Sequence, residues 1–162
     1  FINHVPDLRA YDGLITTDLM SLSDFKTLTG DACPPALVYF HENQLCYPWS
    51  PKDRDVLHKR DHHYGFINYS SALAADTVLF NSTYHQDAFL GELHRFLKQF
   101  PDFNELETMA AIRSKSCVLH LGVDFQKFDD PGNQQHRKEY TDSAPLILWN
   151  HRWDVSWPGA PV

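Results

Sequence analysis

Cysteine, glycine and positive charge are all scarce in this chain. There are three cysteines in 162 residues, at positions 33, 46 and 117, and no Cys-x-x-Cys pair. That spacing supports neither a zinc ribbon nor a disulfide framework, and a reducing, cytoplasmic compartment is the simplest setting. Seven glycines are present, none in a Gly-x-Gly-x-x-Gly pattern, a phosphate-binding lysine loop or a Gly-x-Ser-x-Gly elbow. These gaps argue against a dinucleotide site of the usual kind, a P-loop and an α/β-hydrolase nucleophile. Lys and Arg number 14 against 21 Asp and Glu, a net charge of -7, which disfavours a module that works by coating phosphate backbones. No apolar run approaches the roughly 20 residues of a membrane span. The chain opens Phe-Ile-Asn-His, with no basic and apolar leader, so no signal peptide is expected and the start is read as internal to a longer frame.

What is abundant points to a globular α/β domain. Hydrophobic residues make up 43% and aromatics 14%, enough for a substantial core. Five short apolar runs read as strands, over 13–16, 36–40, 77–80, 117–119 and 146–149. Most are unbroken rather than alternating, as in sheets covered on both faces. Helical patterns lie between them. Ser21 precedes Leu22, Phe25 and Leu28, with Gly30 as a stop. Residues 64–75 are rich in Ser and Ala and suit close packing on a sheet. Phe89, Leu93, Phe96, Leu97 and Phe100 share one helical face, ended by Pro101. A further helix is predicted over 105–115. Alternation of this kind predicts a Rossmann-like parallel sheet with right-handed crossovers and helices on both faces. Residues 46–63 and 126–144 fall outside the pattern; the first reads as a long polar loop and the second as a surface loop or an interdomain linker.

Ligands of open α/β sheets bind beyond the carboxyl ends of the strands. Polar residues follow each of the five runs: Thr17 and Asp18; His41, Glu42, Asn43 and Gln44; Asn81 and Ser82 with His85; His120 with Gly122 and Asp124; and Asn150, His151 and Arg152. Together these predict a polar cleft. His41 and Glu42 stand out, because two ionisable groups directly after Val-Tyr-Phe sit partly desolvated, a setting suited to catalysis or tight polar binding. Ser82 has two readings, a helix cap or a ligand contact. Gly122 has two as well, a turn or a close backbone approach, and His120 is a half-buried strand residue or a site residue. The segment 52–63, with Lys52, Arg54, Lys59, Arg60 and three histidines against Asp53, Asp55 and Asp61, is a solvated loop or a flap that contacts an anion. His41-Glu42 begins like a zinc-protease motif, but Leu45 stands where its second histidine is needed. A metal hydrolase using His41, Glu42 and His85 therefore lacks its ligand spacing.

Longer strings carry a family resemblance. Residues 39–45 (Tyr-Phe-His-Glu-Asn-Gln-Leu) with Tyr47-Pro48, 60–65 (Arg-Asp-His-His-Tyr-Gly), 71–76 (Ser-Ala-Leu-Ala-Ala-Asp) and 80–85 (Phe-Asn-Ser-Thr-Tyr-His) resemble the N-terminal domain of the tRNA-queuosine alpha-mannosyltransferase family. Residues 148–153 (Leu-Trp-Asn-His-Arg-Trp) look like that family's junction into a second domain. The resemblance implies the N-terminal half of a retaining, family-4-like GT-B glycosyltransferase that moves mannose from GDP-mannose to queuosine in the tRNA-Asp anticodon. It implies that His41 and Glu42 face the transferred sugar. Thr17, Asp18, Asn43, Gln44, Arg60, Asp61, Tyr64, Asn81, Ser82, His85, Gly122 and Asp124 are expected to bind substrate, and Arg152 to meet the donor phosphates. No metal and no cofactor besides the sugar-nucleotide donor are implied, and no membrane partner. The expected division is an acceptor-side domain over 1–145, lacking its first strand and glycine-rich turn, and a junction over 146–162 into a donor domain beyond this chain. These 162 residues alone are expected to be inert. The alternatives are a non-catalytic nucleoside or RNA-binding module and a related glycosyltransferase with a different acceptor.

Overall fold

In the computed structural model, residues 7–47, 54–58 and 61–128 are described. The chain divides into two compact units, Phe1–His120 and Leu121–Val162.

The first unit is built on four short strands, β1 (Leu14–Thr17), β2 (Ala36–Phe40), β3 (Thr77–Phe80) and β4 (Ser116–Val118). They form one parallel sheet in the order β1-β2-β3-β4, with Thr16 opposite Val38, Val38 opposite Val78 and Phe80 opposite Val118. The expected Rossmann-like α/β class is present. The fifth run, over 146–149, lies outside the described residues.

Helices connect the strands: α1 (Leu22–Thr29), α2 (Arg54–Leu57), α3 (Asp61–Ala74), α4 (Thr83–Leu97) and α5 (Thr108–Ser114). Right-handed crossovers that step always in the same direction across a sheet place their helices on the same face. The core follows that rule. Ala36, Val38 and Phe40 of β2 and Val78 and Phe80 of β3 point into a single cluster with Leu22 and Phe25 of α1, Ala72 of α3, Phe89, Leu93 and Leu97 of α4 and Ile112 of α5. The rings of Phe40, Phe80 and Phe89 sit 5.0 to 5.4 Å apart between centroids. The expectation of helices on both faces is met on this one face by the described residues. On the other face, Ile15 of β1 is 77% exposed.

Local chemistry sets the helix ends. Ser82 Oγ accepts the His85 N–H at 3.2 Å and caps α4. Gly30 ends α1 at φ +52°, and its N–H bonds back to the Lys26 carbonyl. Ser21 precedes α1 but makes no side-chain cap; its hydroxyl lies against Ser23 instead. Lys115 Nζ donates to the carbonyls of Leu73, at 2.7 Å, and Ala75, closing the end of α3 from the start of β4. Part of the predicted 46–63 loop is helical, because α2 and the first residues of α3 fall within it. Leu28, expected on the buried face of α1, is exposed, since the helix meets the core through Leu22 and Phe25.

Among the described residues, no helix is long and apolar enough to cross a membrane. All three cysteines are free thiols.

Candidate functional site

The carboxyl ends of all four strands lie along one edge of the parallel sheet, and one polar residue past each of them, Asp18, His41, Asn81 and His120, joins a chain of contacts there. Asn81, just past β3, is the hub. Its Nδ2 donates to the His41 carbonyl at 3.2 Å, and its Oδ1 accepts from Ser82 Oγ at 2.9 Å. The same Oδ1 lies 3.1 Å from His85 Nδ1, and the Asn81 carbonyl lies 3.1 Å from His120 Nδ1. Since Oδ1 only accepts, the His85 proton is placed on Nδ1. Tyr39 adds a tie across the edge, its hydroxyl donating to the Leu119 carbonyl at 3.2 Å.

An open cleft of about 240 Å³ lies at this edge. His41, Asn43 and Cys46 line it from the segment after β2, and Asn81, Ser82, Tyr84, His85 and Ala88 from the end of β3 and the first turns of α4. Two buried nitrogens there, Asn43 Nδ2 and His85 Nε2, have no aligned hydrogen bond among the described residues. Burial holds the His85 ring below its ordinary pKa, with the nearby His41 pressing in the same direction. The Glu42 backbone and the Asp18 charge act against that shift. The Glu42 backbone is thus near the ring without forming an aligned bond to Nε2. The Cys46 thiol is pushed up by burial and then by the Glu92 charge, so it is a thiol rather than a thiolate at neutral pH.

Behind the cleft wall, His41 Nδ1 approaches Asp18 Oδ1 to 2.5 Å. The two side chains differ sharply in access: 48% of His41 is exposed and none of Asp18. The approach is a close polar contact off the hydrogen-bond direction: among the described residues neither Asp18 oxygen has an aligned bond. The Asp18 backbone is pinned by Asn68, fully buried on α3, whose Nδ2 donates to the Asp18 carbonyl at 2.8 Å. Asn68 Oδ1 in turn accepts the Gln44 N–H at 3.2 Å.

The predicted residues therefore separate into groups. His41, Asn43, Asn81, Ser82 and His85 share the cleft. Glu42 is half-buried beside it and accepts from Gln44 Nε2 at 3.2 Å, which leaves Gln44 buried as a support for Glu42. Asp18 is buried rather than presented to a ligand. Thr17 is exposed at the end of β1, and Tyr64 is half-buried on α3 with its ring edge-on to His63. His120 is exposed beyond β4, not half-buried within a strand, because β4 ends at Val118. Gly122 and Asp124 are exposed and belong to the second unit, where Asp124 Oδ1 accepts the Gln126 N–H at 3.1 Å and starts a 3-10 turn over Phe125–Phe128. Asp61 begins α3. Arg60 and Arg152 lie outside the described residues. Among the described residues, no group of three or more His, Cys, Asp or Glu side chains is placed to hold a metal ion.

Asn68 escaped the sequence reading. The signal for it was there: Asn68, Ser71, Ala72 and Ala75 recur at i, i+3, i+4 and i+7, an amide set in a stripe of small buried residues.

Residues 1–123 match the family model described as tRNA-queuosine alpha-mannosyltransferase N-terminal. The chain belongs to this family. It is 34% identical, over 158 residues, to the tRNA-queuosine alpha-mannosyltransferase of Drosophila melanogaster. That match takes in 95% of this chain and 41% of the relative, so the chain spans about two-fifths of that relative's length. No solved structure matches it. The family region contains all four strands and every residue of the cleft.

Proposed function

We propose that this chain is the acceptor-side, N-terminal part of a cytoplasmic GT-B mannosyltransferase that moves mannose from GDP-mannose to queuosine in tRNA. Family membership supports the reaction class. The observation that carries the site is the convergence of His41, Asn81, Ser82 and His85 from two adjacent strand ends on one cleft at the carboxyl edge of the sheet.

In this reading His41 faces the transferred sugar. The bond from the anomeric carbon to the donor phosphate breaks, GDP departs with its electron pair, a bond from a queuosine hydroxyl to that carbon forms, and the hydroxyl proton passes to the departing phosphate. A polar ring fixed beside the anomeric carbon acts on the charge that grows in that step. Asn43, Asn81, Ser82 and His85 bond sugar or acceptor hydroxyls. Glu42, held by Gln44, stands next to the reacting groups. The donor phosphates are held by a second domain, with Arg152 at the junction.

The test is transfer of radiolabelled mannose from GDP-mannose to queuosine-containing tRNA by the full-length protein. His41→Ala should lower kcat on the order of 100-fold or more while the KM for tRNA changes by less than about threefold. Wild-type turnover in that variant would remove His41 from the mechanism. Tight binding of queuosine tRNA with no transfer by the wild type would favour a non-catalytic binding module instead.

A further inference from the structure

Asp18 is expected among the groups that touch substrate, yet its side chain is fully buried. The carboxylate has no accessible surface and, among the described residues, makes no aligned hydrogen bond. A carboxylate taken out of water costs several kcal/mol unless something compensates it. The His41 ring is in contact with it, its Nδ1 at 2.5 Å. The placement is specific. β1 and β2 run parallel with Thr17 opposite Tyr39, so Asp18 and His41, the first residues past each strand, leave neighbouring strands at the same edge, one register step apart. Asn68 then holds the Asp18 backbone through its carbonyl. A bare Nδ1 lone pair facing a carboxylate oxygen at 2.5 Å is repelled whatever the angle, so a buried acid fixed from behind against one ring nitrogen of a half-exposed histidine selects the tautomer that carries the proton there, and with it an orientation.

We propose that Asp18 is a positioning residue for His41: its carboxylate keeps the proton on Nδ1 and turns Nε2 toward the cleft as the atom that meets the reacting sugar. The proposal rests on the reading of His41 given above. Asp18 acts only through the ring and touches neither donor nor acceptor. Without it, an imidazole beside solvent reverts to its usual preference for the proton on Nε2, and the ring is free to rotate. The cleft keeps its shape but presents the wrong atom.

Nitrogen-15 NMR of histidine-labelled full-length protein tests the first step without any substitution. At a pH where the ring is neutral, His41 is expected as the Nδ1–H tautomer; an Nε2–H tautomer in the wild type would overturn the proposal. Asp18→Asn, which keeps the shape of the side chain, should shift His41 toward Nε2–H. It should also lower kcat on the order of 100-fold with the KM for tRNA changed less than about threefold. In a His41→Ala background the same substitution should have less than about a threefold further effect on kcat, because the two act as a unit. Independent, multiplicative losses would sink the proposal, as would a raised KM with kcat retained. If the wild type transfers no mannose at all, the functional reading fails, and the tautomer measurement still decides the relation between Asp18 and His41.

Discussion

Asn68 joins the ends of two strands through one buried amide: it donates to the Asp18 carbonyl at 2.8 Å and accepts the Gln44 N–H at 3.2 Å. Two loops that carry cleft chemistry are thereby fixed to α3. Replacing Asn68 with Leu keeps the approximate volume and leaves a backbone carbonyl and a backbone N–H without partners in the interior. Each such orphan costs about 1–3 kcal/mol. Asn68→Leu should therefore lower the unfolding free energy by about 2–5 kcal/mol, read from urea denaturation. A loss below about 1 kcal/mol would mean that the loops hold their positions without it.

Gly30 closes α1 at φ +52° with nothing within 4 Å of where a Cβ would stand. Space is therefore not the constraint, and backbone conformation is. Gly30→Ala should cost about 1–2 kcal/mol, since an L side chain rarely adopts this region. Gly91 also has open space around its Cβ position but a helical backbone in α4, so Gly91→Ala should be neutral or stabilise by up to about 1 kcal/mol. Thermal unfolding of both variants separates the two causes, and equal effects would show that the φ angle is not the reason for Gly30.

Much of the fold was legible because apolar runs and their stops are local. The runs 36–40 and 77–80 are β2 and β3 with the same bounds, and 13–16 and 117–119 differ from β1 and β4 by one residue at each end. The strand-end rule then pointed to His41, Asn81, Ser82 and His85 without any coordinates. Which of these residues face a ligand was not legible. Asp18 and Asn68 are 50 positions apart, and the bond between them depends on how α3 lies on the sheet. Side-chain burial at the sheet edge is likewise a product of packing, so a polar residue after a strand reads the same whether it faces the cleft, as Asn81 does, or the interior, as Asp18 does.

His85 supplies a pH signature. Its ring is buried against Phe80, edge-on at 5.3 Å, and burial lowers its pKa from the ordinary 6.5. In the unfolded chain the ring takes up a proton near 6.5, while the folded ring resists it to a lower pH. The contribution of the neutral ring to stability is thus fully present above about 6.5 and is lost as pH falls through the lower folded value. His85→Gln, which cannot titrate, should lose less stability than the wild type between pH 7 and pH 5. The check is urea midpoints at both pH values. Parallel decreases in the two proteins would place the His85 ring in water instead.

Asp76 makes the opposite kind of signature at the far edge of the sheet. It follows α3, and its Oδ2 accepts the Ala36 N–H at 2.7 Å at the start of β2 and pairs with Lys26 Nζ of α1 at 2.9 Å. One carboxylate thus ties α1, β2 and the approach to β3. The Ala36 N–H is the main cause of its lowered pKa, followed by the hydrogen bond from Lys26, against a small opposing effect of burial. The side chain is more than half exposed, so solvent screens the Lys26 pair and reduces what it contributes. Asp76→Ala removes both bonds and should cost about 1–2 kcal/mol at neutral pH. Asp76→Asn keeps an acceptor for Ala36 and should cost less than about 1 kcal/mol, and that smaller loss should shrink further in high salt. Because the folded pKa is below 3.8, the contribution of the carboxylate is present above 3.8 and lost as pH falls through the folded value. The stability gap between wild type and Asp76→Asn should therefore hold from pH 7 to about 4 and close below it. A gap that does not narrow at all below pH 4 would show that the asparagine acts through packing and that the charge on Asp76 is not what ties α1 to β2.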